Sequence, residues 1–518
     1  MLKQGDPSLG RTVIFPLRPA LSRVMIPLIG LMLVALFTIL YVNHTYLYNK
    51  TISALIAYPP PYSHPFIDWE WIPSSIECWH RGVDVYVSIP CYAPSLNGLS
   101  PTFDYSPLWL RLTFIRFAEG WTNLFGLSFA VVFFLSLTLM PLQRIGTFDF
   151  VIMLLSAISS ATVLLLERAN ADLIMFFMII LGVSACGSQL PVRLAGYALI
   201  TLAGLLKFYP MIALIITIRE RPLIVATIAL SVVAVLAAFI SIYYNELIPV
   251  IGGLVSGAAI FNPVNWGAKQ LPGGLSFIIS GVAAKLFHQD AMSADTIGQF
   301  LYSILLLVLV VQALATAIWL GHRFRLQYAV ADLSMRETEF LLAGAALICG
   351  CFFTGDNALY KGIYLLFALP GLLTLAHRLP LQLARTAFRG TCVAIVFVVW
   401  YPFLRKGARV AVKALGKPVE ASYQWSSWSS PDPGHQGLDR AVGLMVWLFD
   451  QLAWWWIVSV LLAVLGALVL HSELLAAVLG SKALGGVRHA APPSPTGNSI
   501  KMDARRRSHS SEALDFAG

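Results

Sequence analysis

Long runs of apolar residues alternate with short polar segments along most of this 518-residue chain. A run of about 20 apolar residues can cross the ~30 Å hydrocarbon core of a bilayer as an α-helix. The repeated pattern predicts an all-α, polytopic transmembrane helix bundle of roughly twelve spans. These predicted spans lie at 24–42, 121–140, 148–165, 171–187, 194–206, 211–218, 222–243, 298–320, 338–354, 359–376, 390–404 and 441–470.

Two of these apolar runs, 194–206 and 211–218, are short. A straight helix of either length falls short of the ~30 Å core. The runs flank the polar segment Lys207-Phe208-Tyr209-Pro210. The pattern therefore predicts a hairpin that turns within the membrane.

Basic residues between the apolar runs predict the topology. Those before the first span place residues 1–23 in the cytoplasm, and no small-residue cleavage site follows that span, so it is expected to be an uncleaved anchor. Residues 44–106 then form a long first external loop, 24–470 form the transmembrane domain, and 471–518 form a cytoplasmic, largely disordered tail. The short loops assigned to the cytoplasm carry Arg144, Arg193, Arg219, Arg221, Arg323, Arg325, Arg378, Arg385 and Arg389.

One basic stretch, 405–417, falls on the external side of this topology. Either one span is miscounted, or the stretch is a surface for phosphate or anionic lipid. The basic tail fits an even number of spans, which favours the second interpretation.

Composition agrees with a membrane protein. The chain is 58% hydrophobic and 12% charged, with a mean hydropathy of +0.75, whereas soluble domains carry about twice that charge. The net charge is +9, but no basic face is interleaved with aromatic residues, so nucleic-acid binding is not expected. No cysteine pair has zinc-ligand spacing. Cys78 and Cys91 share the external loop, where a disulfide and two free thiols are both possible.

Acidic residues flanked by aromatic ones recur in the first external loop, at Asp68, Asp84 and Asp104. Tryptophan and tyrosine are common at membrane interfaces, so an interfacial belt is the simpler interpretation for Trp69 and Trp71. Asp68 is different, because a carboxylate between large apolar side chains is partly desolvated and suits a general base.

Three further polar clusters lie at predicted external ends of spans: 167–172, Lys207 and 355–361. Arg168 can form a structural ion pair with an acidic neighbour. Lys207 needs an anionic partner, which a lipid phosphate or one of those acidic residues would supply. Together the clusters predict an outer-leaflet cavity that combines a carboxylate with several cations.

The ordered set of motifs resembles glycosyltransferase family 87, whose members are GT-C enzymes that use polyprenyl-phosphate sugars. The resemblance covers residues 20 to 375. Its motifs match Asp68, Gly82-Val83-Asp84-Val85-Tyr86, Tyr105-Ser106-Pro107, Arg168-Ala169-Asn170-Ala171-Asp172 and Lys207-Phe208-Tyr209-Pro210.

The resemblance implies an inverting transfer with Asp68 as the general base. Related sequences often have Tyr-Arg where this chain has Tyr360-Lys361, and the segment 262–266 matches a later external loop only loosely. The substrate-binding residues predicted from the motifs and clusters are Arg81, Asp84, Tyr86, Asp104, Tyr105, Arg168, Asn170, Asp172, Lys207, Tyr209, Asn357 and Lys361.

The expected function is transfer of a hexose, with mannose favoured, or a pentose from a polyprenyl-phosphate sugar to a lipid or glycan acceptor. The phosphate is expected near Lys207 and Arg168. The site is expected on the periplasmic side of a bacterial inner membrane, in contact with membrane lipid. The sequence shows no nucleotide-binding glycine loop and no metal-ligand set, so no cofactor or metal is expected.

Three alternatives remain. A flippase or transporter of lipid-linked glycans often has internally related halves, which this chain does not show. A glycan polymerase or ligase would use arginines in a late external loop, as the stretch 405–417 allows. A structural subunit would not need clustered external acidic residues.

Overall fold

The computed structural model describes residues 19–56, 65–91, 102–113, 121–142, 146–255, 261–262, 264–287, 291–355, 357–414, 438–472 and 474–475. The predicted cytoplasmic N-terminus and disordered tail therefore lie almost wholly outside the described residues.

Eighteen α-helices are present in the described ranges: α1 Pro19–Asn43, α2 Thr45–Ile56, α3 Ile67–His80, α4 Leu108–Arg111, α5 Thr122–Ser136, α6 Thr147–Ala157, α7 Ser160–Arg168, α8 Asp172–Ala185, α9 Leu190–Lys207, α10 Pro222–Val255, α11 Gln270–Phe287, α12 Ala291–Arg323, α13 Leu326–Ala329, α14 Met335–Thr354, α15 Leu365–Arg378, α16 Gln382–Val399, α17 Tyr401–Ala414 and α18 Leu438–Leu470. Short 3₁₀-helices cover Leu137–Leu139, Tyr209–Arg219, Val330–Asp332 and Leu359–Tyr364. Two short strands, β1 Asn265–Trp266 and β2 Asn357–Ala358, pair antiparallel.

Ten helical segments in the described ranges are long and apolar enough to cross a membrane. This confirms an integral, multi-pass helix bundle. The ten segments are Val24–Asn43, Thr122–Leu139, Thr147–Arg168, Leu190–Lys207, Pro222–Gly252, Thr296–Arg323, Met335–Thr354, Leu359–Arg378, Gln382–Val399 and Ala441–Leu470. Three shorter apolar helices, Asp172–Ala185, Tyr209–Arg219 and Gln270–Ala284, accompany them.

The prediction that 194–206 is too short to cross was wrong. Helix α9 begins at Leu190 and has 18 residues, which gives about 27 Å at 1.5 Å per residue. The chain turns at Phe208 and returns as the 11-residue 3₁₀-helix Tyr209–Arg219. That helix spans roughly 22 Å, because a 3₁₀-helix rises about 2.0 Å per residue. Lys207 therefore lies at the end of a full-length helix.

The predicted span 390–404 was also wrong in its bounds. Helix α16 ends at Val399, and a separate helix, α17, begins at Tyr401. Helix α17 lies at the end of the bundle that carries the first external loop. The Lys406 ammonium donates to the Ser53 carbonyl of α2 at 2.8 Å, and an Arg405 Nη1 donates to the Phe261 carbonyl at 3.0 Å. The described part of the basic stretch therefore lies on the external side of the predicted topology, and no miscounted span is needed to explain it. Lys417 is outside the described residues.

The centre of the bundle is formed by α14 and α15, most of whose side chains are buried. Gly344 permits their close approach, since a Cβ there would lie 2.6 Å from the Ala368 nitrogen. The outer helices α10 and α12 instead expose apolar side chains such as Leu230, Ile242 and Ile318. Such residues on a long apolar helix are suited to contact lipid tails.

Candidate active site

Five chain segments end or turn at one place in the bundle and bring polar side chains together there. They are the start of α3, the segment 102–113, the α7–α8 turn, the end of α9 and the 3₁₀-helix Leu359–Tyr364. Three of these junctions hold a non-glycine residue at positive φ: Phe66 at 69°, Ala169 at 45° and Phe208 at 58°. Each such conformation costs of order 1–3 kcal/mol, and such strain clusters at functional sites.

Asp68 is held at the centre of this cluster. Arg168 donates its Nε–H to Oδ1 at 2.8 Å, and the Asn170 side-chain amide donates to Oδ2 at 2.7 Å. The side chain remains 12% exposed. Each carboxylate oxygen has two lone pairs, so Asp68 can accept a further hydrogen bond from a substrate hydroxyl.

Lys207 and Asp172 form a second ion pair, deeper in the protein. The ammonium of Lys207 lies 2.9 Å from Asp172 Oδ1, and the Tyr209 hydroxyl donates to the same oxygen at 2.6 Å. Asp172 is fully buried, and its Oδ2 has no hydrogen-bond partner among the described residues. The partner that Lys207 requires is thus an aspartate of the chain itself.

Asn170 connects the two ion pairs. While its amide nitrogen donates to Asp68, its Oδ1 accepts from Lys207 Nζ at 2.8 Å and from the Asp172 backbone N–H at 3.0 Å. Tyr105 closes the network, since its hydroxyl lies 3.4 Å from the Asn170 amide nitrogen and its ring centroid lies 5.0 Å from Lys207 Nζ. One side chain therefore fixes the distance between the carboxylate of Asp68 and the ammonium of Lys207.

Lys361 is the third cation of the cluster. Its ammonium donates to Asn357 Oδ1 at 2.9 Å and lies 4.9 Å from the centroid of the Tyr209 ring. No carboxylate of the described residues lies within ion-pair distance of it, and Asp356 is outside those residues. Lys361 is thus the cation of the cluster with only a neutral hydrogen-bonding partner in the described part of the chain.

Asp104 adds a second carboxylate near these groups. Its side chain is exposed, yet enough protein surrounds it that desolvation raises its pKa. Lys207 opposes this rise in the pKa of Asp104, and the negative charge of Asp68 adds to it. Because its side chain is exposed, this carboxylate can accept hydrogen bonds from sugar hydroxyls.

Three of the sequence-predicted residues lie elsewhere. Arg81 forms an exposed ion pair with Glu77 at 2.9 Å. Asp84 accepts the backbone N–H of Tyr86, whose hydroxyl donates to Glu246 of α10 at 3.2 Å. The Gly-x-Asp-x-Tyr motif therefore anchors the external loop to α10, and the structure does not bring it into hydrogen-bond contact with Asp68.

A disulfide between Cys78 and Cys91 constrains the same loop. It joins the end of α3 to the segment that follows the motif. Of the two states that the sequence allowed, the structure contains the bonded one.

No protein-family model, curated protein or solved structure matches this chain. The function is therefore inferred from the geometry of the site. Within the described residues, no group of three or more His, Cys, Asp or Glu side chains is placed to hold a metal ion.

Sequence reasoning missed Tyr364 and the pair Arg111–Glu246. The hydroxyl of Tyr364 lies 2.6 Å from that of Tyr209, but Tyr364 stands within an apolar run that gives no polar signal. Arg111 donates to Glu246 at 2.7 Å. An acidic residue near the end of the long apolar run of α10 was the available signal for that contact.

Proposed function

We propose that this protein transfers a sugar from a polyprenyl-phosphate donor to a hydroxyl group of an acceptor, with inversion at the anomeric carbon. The observation that supports this most is the network that holds Asp68 between Arg168 and Asn170 while Asn170 also binds Lys207. It places an oriented carboxylate and fixed cations at one end of a membrane-spanning bundle. A lipid substrate with a phosphate next to its reacting carbon requires that combination.

The phosphate is best placed against Lys361. Arg168 and Lys207 each have an aspartate partner, whereas Lys361 donates to the neutral Asn357. Lys207 lies close to the same segment, since its ammonium is 5.8 Å from the centroid of the Tyr360 ring. This modifies the expectation from sequence, in which Arg168 and Lys207 bind the phosphate.

In the proposed step, the acceptor oxygen forms a bond to the anomeric carbon from the face opposite the phosphate. The bond between that carbon and the phosphate oxygen breaks, and its electron pair leaves with the polyprenyl phosphate. Asp68 takes the proton of the acceptor hydroxyl and later releases it to water. Arg168 and Asn170 keep the carboxylate oriented, and Lys361 stabilises the departing phosphate.

The distribution of basic residues supports an external site. Arg193 and Arg219 lie at the opposite ends of α9 and of its returning 3₁₀-helix from Lys207. Basic residues favour the cytoplasmic side, so the site would face the periplasm of a bacterial inner membrane. There a membrane-bound donor and a lipid or glycan acceptor can both reach it.

A transfer assay tests the proposal. Membranes or vesicles containing the protein would be incubated with radiolabelled polyprenyl-phosphomannose and a membrane extract as the source of acceptor. The expected result is label in a new lipid or glycan together with released polyprenyl phosphate. Movement of the intact donor across the bilayer without transfer would support a flippase and contradict the proposal.

Replacing Lys361 with methionine is expected to lower kcat/KM for the donor by about 10²–10³-fold, the usual cost of removing one charge-stabilising group. Stability should change little, because Lys361 forms no ion pair with a described carboxylate. Lys361→Arg should retain activity, since a guanidinium also binds phosphate. The exposed Lys269 supplies the matched control Lys269→Met. Equal activity of Lys361→Met and this control would exclude the assigned role.

The raised pKa of Asp104 predicts an acidic limb in the pH profile of kcat/KM. If ionised Asp104 binds sugar hydroxyls, activity falls as pH drops through its pKa. Because desolvation raises that pKa, the fall begins above the range of an ordinary aspartate. Asp104→Asn should lower activity at neutral pH and move the onset of the acidic fall to lower pH, since the base Asp68 must still be ionised. An unchanged limb in the variant would assign the titration to another group.

A further inference from the structure

A groove with a volume of about 350 Å³ lies between α1, α5 and α7, beside α2. This volume is within the range of small-molecule sites. Apolar side chains line most of it, among them Leu33, Ala130, Phe134 and Leu166. None of the described residues that line it is basic. The groove is therefore suited to an uncharged, aliphatic ligand.

The groove has the depth of one membrane leaflet. Its α1 wall extends from Leu33 to Val42, which is about 14 Å at 1.5 Å per residue. Half of a ~30 Å hydrocarbon core is about the same length. The wall lies in the half of the membrane next to the candidate site, because α1 and α7 end at the site side and α5 begins there.

The upper end of the groove lies next to the candidate site. Phe66 and Glu167 both line it, and the Phe66 backbone N–H donates to the Glu167 carbonyl at 2.6 Å. The residue after Glu167 is Arg168, which pairs with Asp68. A chain lying in the groove would therefore present its headgroup beside the proposed base.

The charges of the residues around the groove indicate whether it binds the donor or the acceptor. No described residue that lines the groove is basic, so the groove offers a phosphate no cationic partner, whereas Lys361, the cation with a neutral partner, lies beside Asn357 and Tyr209. A hydroxyl-bearing headgroup is compatible with Glu167. A polyprenyl chain is also longer than a groove one leaflet deep.

We infer that this groove binds one aliphatic chain of the acceptor, so that the acceptor is a lipid with a hydroxylated headgroup. The inference rests on the proposed function, since it assigns the substrate that delivers the attacking hydroxyl. The donor chain then follows a separate path on the side of Lys361.

Photo-crosslinking tests whether the groove binds a glycolipid chain, and it does not require sugar transfer. Protein in vesicles would be irradiated with mannosyl diacylglycerol that carries a diazirine in one acyl chain, and labelled peptides would be mapped by mass spectrometry. Labelling is expected in 33–42 and 127–134, with competition by unlabelled mannosyl diacylglycerol and not by phosphatidylglycerol. Equal labelling of these peptides by a phosphatidylglycerol probe would mean that the groove contacts bulk membrane lipid without selectivity, and would overturn the inference. So would preferential labelling by a diazirine-bearing polyprenyl phosphate.

Variants that fill the groove with a larger side chain provide a second test by the same crosslinking. Ala130→Trp and, as an independent variant, Leu127→Trp should each lower glycolipid labelling at least tenfold. Val132 lies on the same helix but is 44% exposed and does not line the groove, so Val132→Trp is the matched control. Size-exclusion profiles identify any variant that fails to fold. Undiminished labelling in a folded Ala130→Trp or Leu127→Trp protein would overturn the inference.

The two proposals fail separately. If the wild type labels as expected but transfers no sugar from polyprenyl-phosphomannose to any acceptor, the transferase proposal is wrong, and the groove is a glycolipid-binding site but not an acceptor site. If transfer occurs but labelling is not specific, only the groove assignment is wrong.

Discussion

Replacing Asp68 with asparagine is expected to lower the rate of sugar transfer by about 10²–10⁴-fold, the usual contribution of a positioned general base. Asparagine occupies nearly the same volume and can still accept a hydrogen bond from Arg168, but it cannot take a proton. The variant should therefore bind the donor and fail in the chemical step. The measurement is kcat in vesicles with radiolabelled polyprenyl-phosphomannose.

Glu77 provides the matched control for this variant. It lies on α3, as Asp68 does, but its side chain is 44% exposed and forms an ion pair with Arg81 in the described structure. Glu77→Gln should retain transfer. If Asp68→Asn transferred sugar at the rate of Glu77→Gln, the assignment of Asp68 as the base would be wrong, and Asp104 would be the next carboxylate to test.

The second large expected effect is a loss of stability when the ion pair between Lys207 and Asp172 is broken. Asp172 is completely buried, and Lys207 is its only ion-pair partner in the described structure. Removing one partner of a buried pair leaves an uncompensated charge, which costs about 3–5 kcal/mol. Lys207→Met should lower the free energy of unfolding by that amount, measured by denaturant titration in detergent.

A double variant tests the physical cause. Lys207→Met combined with Asp172→Asn removes both charges and should recover most of the lost stability, which a double-mutant cycle measures as a coupling energy. Lys269→Met, at an exposed position, should leave stability unchanged. If the double variant were as unstable as the sum of the single changes, lost packing and not charge would explain the effect.

The sequence was sufficient to predict the membrane bundle, because apolar length is a direct physical requirement for crossing lipid. It did not predict the extent of α9, since Arg193 near its start interrupts the apolar run and helical hydrogen bonding continues through it. The break at Trp400 was also missed. The apolar run 390–404 continues through that break, but Pro402 has no backbone N–H with which to continue α16 and was the available sequence signal.

The candidate site was predicted as a set of residues but not as a set of contacts. Asp68 and Arg168 are 100 positions apart, and no periodicity indicates that they pair. The partner of Lys207 was left open between a lipid phosphate and an acidic residue, and only the fold identifies Asp172. The same fold gives Lys361 its importance, because it shows that the other two cations are paired.

A cryo-EM structure with a non-transferable phosphonate analogue of polyprenyl-phosphomannose would test the central claim most directly. The account predicts the phosphonate against Lys361, with the anomeric carbon between it and Asp68 and an open approach from the groove side. A phosphonate bound at the opposite end of the bundle, or a cluster around Asp68 with no ligand at saturating analogue, would contradict it.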